Sequence, residues 1–200
     1  MRIKHLGAGL LASAALIGLQ GCMTMDGGMD SSASASARTQ GTVTVGGAPM
    51  YATRNIIQNA INSRDHTTLV AAVKAAGLVD TLSGPGPFTV FAPTNAAFAQ
   101  LPAGTVEAAL RPENRSMLQS VLTYHVVAEQ LTAADLMARI RAGGGSARLT
   151  TVQGGTLTAR MSGNNIVLTD ARGGTSTVTQ ANVMQSNGVI HVTNAVSMPG

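Results

Sequence analysis

The chain has no tryptophan, two tyrosines and three phenylalanines in 200 residues, and only 11% of its residues are charged. So few large rings exclude the aromatic-interleaved basic surfaces that hold single-stranded nucleic acid. The low charge, with 44% hydrophobic residues, excludes a highly charged disordered chain. A single cysteine, Cys22, rules out an internal disulfide and any CxxC metal or redox site. The sequence contains no HExxH, no P-loop, no GxSxG and no GxGxxG following a strand, so no recognisable catalytic or nucleotide-binding pattern is present.

What is present begins with a targeting signal. Arg2 and Lys4 precede an apolar stretch from Leu6 to Leu19, which is short for a membrane-spanning helix. It closes on Leu19-Gln20-Gly21-Cys22, a pattern that resembles the lipobox of bacterial lipoproteins, in which the signal is cut before a cysteine that becomes lipidated. Residues 1–21 are therefore expected to be a signal peptide, Cys22 the lipidation site, and the membrane a partner through that anchor. Met23 in place of aspartate implies, by the same resemblance, the outer membrane. Loss of residues 1–21 removes two basic residues, leaving 11 against 9 acidic ones. A mature net charge of +2 gives nucleic-acid binding little support.

Residues 22–48 are rich in Gly, Ser, Ala and Thr and show no sustained apolar period, so they are expected to be a flexible tether. Met23, Met25 and Met29 lie within it, and thioethers suit Cu(I). Without a histidine or cysteine partner they make a weak site, and neither a metal nor another cofactor is expected.

From residue 49 to 199 the pattern is that of one domain. Ile56, Ile57, Ala60 and Ile61 share a helix face, with Thr53 as its expected cap. Thr67 is expected to cap a second helix that stops at Gly77. "FTVFA" (88–92) reads as a strand with a ring on each face, so both faces should be covered. Thr94 then caps a helix in which Phe98 packs back on Pro93. A helix beginning at Pro112 should carry Met117, Val121 and Leu122, and Thr132 with Asp135 forms a capping-box pattern. After Gly143-Gly144-Gly145 the period changes to alternation, with Gly-rich turns between strands. Helices followed by antiparallel strands indicate an α+β domain.

Three segments within this domain resemble the fasciclin-like domain family: "TVFAPTNAAF" (89–98), "TYHVV" (123–127) and "NGVIHVTNAVSMP" (187–199). The resemblance implies an antiparallel β-wedge of two sheets with several helices packed on one side. It also implies an exported, surface-attached, non-enzymatic protein of adhesion or protein contact. In adhesion members of the family, the Tyr-His region and a short acidic motif before the last signature contact integrins. Their counterparts here are Tyr124, His125, Asn182, Val183 and Met184, which become the candidate partner-binding residues, expected on exposed surface. Asn182 stands where those members carry aspartate, so the acidic group that integrins coordinate is missing. Internal packing of Tyr124 and His125 is the alternative, and His191 is expected to be half-buried. Some members bind carotenoids, which makes carriage of an apolar ligand the second functional expectation.

Overall fold

The segment "TVTVGGAPM" alternates valine with threonine and then turns on two glycines. Gly46 and Gly47 both take positive φ, +57° and +75°, the conformation a tight hairpin turn needs and glycine adopts without strain. The result is a two-stranded hairpin, β1 (Val43–Val45) and β2 (Ala48–Met50). Val45, Ala48 and Met50 are buried. Residues 43–48 thus belong to the fold rather than to the tether, a correction to the composition-based boundary. Two three-residue strands around a Gly-Gly turn are too short to show an alternation that stands out from linker sequence.

The computed structural model of the chain describes residues 42–200. The signal peptide, Cys22 and most of the expected tether lie outside the described residues. Five short helices flank β3 (Phe88–Pro93): α1 (Ile56–Ala60), α2 (Thr67–Ala76) and α3 (Val79–Ser83) before it, α4 (Asn95–Ala99) and α5 (Thr105–Ala109) after it. Then come α6 (Arg115–Tyr124), β4 (Val126–Val127), α7 (Ala133–Ala142) and β5 (Ser146–Thr150). The chain ends in β6 (Thr156–Ser162), β7 (Asn165–Thr169), β8 (Thr175–Gln185), β9 (Gly188–Thr193) and a terminal segment.

Seven strands form the order β4-β3-β9-β8-β7-β6-β5. All neighbours are antiparallel except β3 and β9, which run parallel in the register Phe88–Gly188 to Pro93–Thr193. This parallel pair is the exception to the expected antiparallel pattern. It joins two segments about a hundred residues apart, a pairing that local alternation cannot reveal. β8 is 11 residues long. It pairs with β7 through Thr175–Thr177 and with β9 through Val178–Gln185, with register shifts between Val178 and Gln180 and between Gln180 and Val183. Such bulges bend a strand, and here the bend turns the sheet into the two halves of a wedge.

Each face of β3 meets its own apolar cluster. Val90 and Ala92 join residues of α1, α2, α3 and α6, including Ile56, Val73 and Leu122. Phe91 faces the other cluster, where Leu136 and Ile140 of α7 meet Leu149, Leu157 and Leu168 of β5, β6 and β7. The expectation that both faces of "FTVFA" are covered holds.

Cap chemistry fixes the helices. Thr94 accepts a hydrogen bond from the Ala97 N–H at the start of α4. Thr132 and Asp135 form the expected capping box of α7, and Gly77 closes α2 in the left-handed conformation at φ +72°. α1 is capped by Asn55 rather than Thr53: the Asn55 carboxamide accepts from the Gln58 N–H, and the Gln58 side chain accepts from the Asn55 N–H. Thr53 lies two residues too early to reach the first turn. Thr67 is the first residue of α2 rather than its cap, and its hydroxyl accepts from the Asn95 carboxamide. In α6 the buried residues are Leu118, Leu122 and Tyr124, while Met117 is 52% exposed. The inward face thus runs through Leu118 and Leu122, which join the first apolar cluster described above, while Tyr124 at the helix end enters the second.

Replacing Phe91 by alanine empties the centre of the second cluster and is expected to cost about 3–5 kcal/mol of unfolding free energy. Met117→Ala, on the exposed side of α6, should cost about 0.5 kcal/mol or less. Urea denaturation of both variants checks the buried place of Phe91 in β3 and the outward place of Met117 on α6.

Candidate functional site

The motif residues Tyr124 and His125 stand at the end of α6, where the helix hands the chain to β4. Their side chains are buried, at 0% and 3% exposure. This corrects the expectation that they lie on exposed surface. The reason is hydrogen bonding: each carries a polar group that finds a backbone partner inside, so burial leaves nothing unpaired. The Tyr124 hydroxyl donates to the Thr156 carbonyl at 2.7 Å and accepts from the Ala171 N–H at 3.0 Å. His125 Nδ1 donates to the Val121 carbonyl at 2.8 Å, and its Nε2 accepts from the Ser197 N–H at 3.0 Å.

These bonds hold two outer segments in place. One is the turn between β7 and β8, which carries Asp170, Ala171 and Arg172. The other is the terminal segment after β9. Asp170 ties the two together: Oδ1 accepts from the N–H groups of Arg172 and Gly174 at 3.0 and 2.7 Å, and Oδ2 accepts from the Met198 N–H at 2.8 Å. Arg172 Nε then donates to the Pro199 carbonyl at 2.8 Å. Tyr124 and His125 are therefore positioning residues for a rim made of the 170–174 turn and the 196–200 segment.

That rim borders a cleft of about 410 Å3. Its opposite walls are α4, α5 and α6, through Phe98, Leu101, Val106, Leu110 and Val121 among others. Arg172 supplies the one charged side chain among its lining residues. The sequence pattern points Phe98 back onto Pro93 and does not single out Arg172 or the terminal segment. No local pattern links an arginine in a hairpin turn to helices about fifty to seventy-five residues earlier.

Asn182, Val183 and Met184 lie elsewhere, at the bulge of β8. No hydrogen bond among the described residues joins them to Tyr124 or His125. Asn182 takes φ +59°, a conformation asparagine tolerates better than most residues. Its Oδ1 accepts from the Ala133 N–H at 2.7 Å, satisfying a backbone donor in the first turn of α7. Val183 is buried in the first cluster, while Asn182 and Met184 are exposed.

His191 is fully buried rather than half-buried, because β9 is covered on both faces. Its ring stacks on Phe91 with 5.6 Å between centroids. Nε2 donates to the Leu131 carbonyl at 2.7 Å, and Nδ1 accepts from the Asn182 N–H at 3.4 Å. Burial holds His125 and His191 below the usual histidine range, against the upward pull of the carbonyls of Val121 and Leu131. Burial likewise lowers His66, whose Nδ1 lies 2.9 Å from the Ser63 hydroxyl. For His125 and His191 the bonding explains the same preference in geometric terms, since a second proton would face a backbone N–H.

Residues 64–199 match the model of the fasciclin domain. Protein sll1483 of Synechocystis sp. is 46% identical over 144 residues, 72% of this chain and 73% of that protein. The cell surface glycolipoprotein MPB83 of Mycobacterium bovis is 44% identical over 82 residues, 38% of this chain and 36% of that one. The solved structure of a FAS1 domain pair from the insect cell adhesion molecule fasciclin I matches 65% of this chain and 43% of its own. Its TM-score is 0.51 at 24% identity, which shows a shared fold.

Three buried histidines with lowered proton affinity make stability depend on pH. The unfolded chain takes up protons near pH 6.5, where the folded chain resists them, so stability is full above about pH 6.5 and falls as pH drops below it. Each histidine contributes at most about 1.4 kcal/mol per pH unit. Thermal unfolding between pH 7.5 and 5 should show this decline, and His191→Gln should make it shallower.

Proposed function

Since this chain belongs to the fasciclin domain family, we propose that it is a non-enzymatic, lipid-anchored protein of the cell envelope whose domain works by adhesion or protein contact. The observation that carries this reading is the inward commitment of the motif side chains. Tyr124, His125 and His191 each end on backbone groups, so they shape the surface rather than act on a substrate. The Ser63–His66 contact resembles a nucleophile and base, but both residues are buried, at 2% and 3% exposure. The cavity they border is about 30 Å3, room for little more than a water molecule.

The contact surface is assigned to the bulge of β8. Val183 anchors it in the core while Asn182 and Met184 project outward, and an exposed thioether gives an adaptable apolar contact. The lipobox at Cys22 supports an anchor, and Met23 supports the outer membrane as its location. The names of relatives agree in kind, one being a cell surface glycolipoprotein and another a cell adhesion molecule. A second reading, carriage of an apolar ligand such as a carotenoid, is favoured by the cleft of about 410 Å3.

Changing Cys22 to Ala should release the protein from the membrane fraction, and continued tight membrane association would contradict the anchor. Cells carrying Met184→Glu should attach to surfaces several-fold less than the parent, with thermal stability of the protein unchanged. Equal attachment by the parent and by a strain lacking the gene would remove the adhesion reading.

A further inference from the structure

The cleft beside α6 has a polarity that the apolar-carriage reading does not by itself require. Its walls are aliphatic and aromatic, contributed by Phe98, Leu101, Val106, Leu110 and Val121, and its volume of about 410 Å3 lies in the range of sites that enclose small ligands. One charged side chain stands among them, that of Arg172, on the rim. We propose that this cleft binds a long-chain fatty acid, with the alkyl chain between α4, α5 and α6 and the carboxylate on the Arg172 guanidinium. The proposal rests on the carriage reading and narrows it to one class of ligand.

The charge of Arg172 is held in place and left unspent. Its backbone N–H is fixed by Asp170 Oδ1, and its Nε–H by the Pro199 carbonyl. The two terminal amino groups of the guanidinium enter no hydrogen bond among the described residues. Asp170, two residues away, does not neutralise it through an ion pair, because its carboxylate accepts from the backbone N–H groups of Arg172, Gly174 and Met198. The one ion pair among the described residues is Arg139–Glu129, and Gly200, which also lines the cleft, forms none with Arg172. A guanidinium with free N–H groups at the mouth of an apolar cleft complements a carboxylate, whose two oxygens match its planar fork. A neutral polyene would leave that charge unused.

The strap that carries Met198 and Pro199 completes the site. It is bound at four points: the Ser197 N–H donates to His125 Nε2, the Ser197 hydroxyl pairs with that of Ser176, the Met198 N–H donates to Asp170, and the Pro199 carbonyl accepts from Arg172. Tyr124 secures the other side of the rim through the Ala171 N–H. The buried Tyr-His pair thereby gains a role at this site: it holds the turn that bears Arg172 and the strap to which Arg172 is bonded.

The test titrates the full-length chain with a naturally fluorescent polyunsaturated fatty acid and displaces it with saturated acids, and with alcohols of equal chain length. The acid should bind roughly tenfold to a hundredfold more tightly than the matching alcohol, the difference expected of a charge-assisted hydrogen bond. Each added methylene should tighten both series about fourfold until the cleft is full. Arg172→Gln should abolish the preference for acid, read as the ratio of acid to alcohol affinity, and Arg172→Lys should retain part of it. Ser120→Trp, which fills the cleft from α6, should remove both ligands with circular dichroism unchanged. The acid-to-alcohol ratio of the unaltered chain reads the headgroup contact even where a variant fails to fold. Equal affinity for acid and alcohol, or binding of a carotenoid but no fatty acid, overturns the proposal and leaves carriage standing. Binding of none of the three overturns both, and fatty-acid affinity unchanged in Ser120→Trp overturns the location.

Discussion

The parallel pairing of β3 with β9 is the constraint from which the rest of the domain follows. Two segments about a hundred residues apart lie side by side, buried on both faces, and the approach is close enough that only glycine fits at its start. A Cβ on Gly188 would sit 2.0 Å from the Phe88 carbonyl oxygen. Just before it, Asn187 reaches across three elements: its Oδ1 accepts from the Ile56 N–H, its Nδ2 donates to the carbonyls of Leu82 and Gly84, and its carbonyl accepts from the Phe88 N–H. At the other end, the Thr94 N–H donates to the Thr193 carbonyl, which sets the start of α4 against the end of β9. The helices of the cleft and the terminal strap are thus both referenced to this pair of strands.

A sheet centre of this kind has to accommodate polar side chains without leaving them unpaired. The Thr89 hydroxyl donates to the Glu129 carbonyl and accepts from the Leu131 N–H, and His191 bridges Leu131 and Asn182 while stacking on Phe91. Each bond satisfies a backbone group, where an unmade buried hydrogen bond costs about 1–3 kcal/mol. His125 and His191 therefore serve as neutral two-ended connectors, one nitrogen donating and the other accepting. The same logic explains why a Tyr-His pair with the look of a surface motif sits inside and acts on the surface indirectly, through the turn at Ala171 and the strap at Ser197.

Much of this architecture was legible in the residues. The break at Pro93-Thr94, the box at Thr132 and Asp135, the stop at Gly77 and the alternating last third all follow from local chemistry, which a sequence displays directly. The three phenylalanines were read correctly as the place where strand passes into helix. The misreadings share one physical cause, dependence on distant partners. Tyr124 is buried because Thr156 and Ala171 offer it an acceptor and a donor, and His125 because Ser197 does. The cap of α1 is the exception, since Asn55 displaces Thr53 through a box with Gln58 only three residues away. Arg172 becomes a candidate ligand residue only when the fold sets its turn beside α5 and α6. The segment 182–184 was legible as a separate feature, but its division into buried Val183 and exposed neighbours depends on bulges that a period-two reading does not anticipate.

The central claim is that His125 is a buried structural connector, neutral and fixed in one tautomer, rather than an exposed contact residue. Nitrogen-15 NMR of the imidazole rings between pH 7.5 and 5 tests this most directly. The account predicts that His125 carries its proton on Nδ1, with Nε2 showing the shift of an acceptor, and that neither signal moves as pH passes 6.5. A His125 ring that titrates near the ordinary histidine value of about 6.5 and exchanges between tautomers, as a solvent-exposed side chain does, would contradict it.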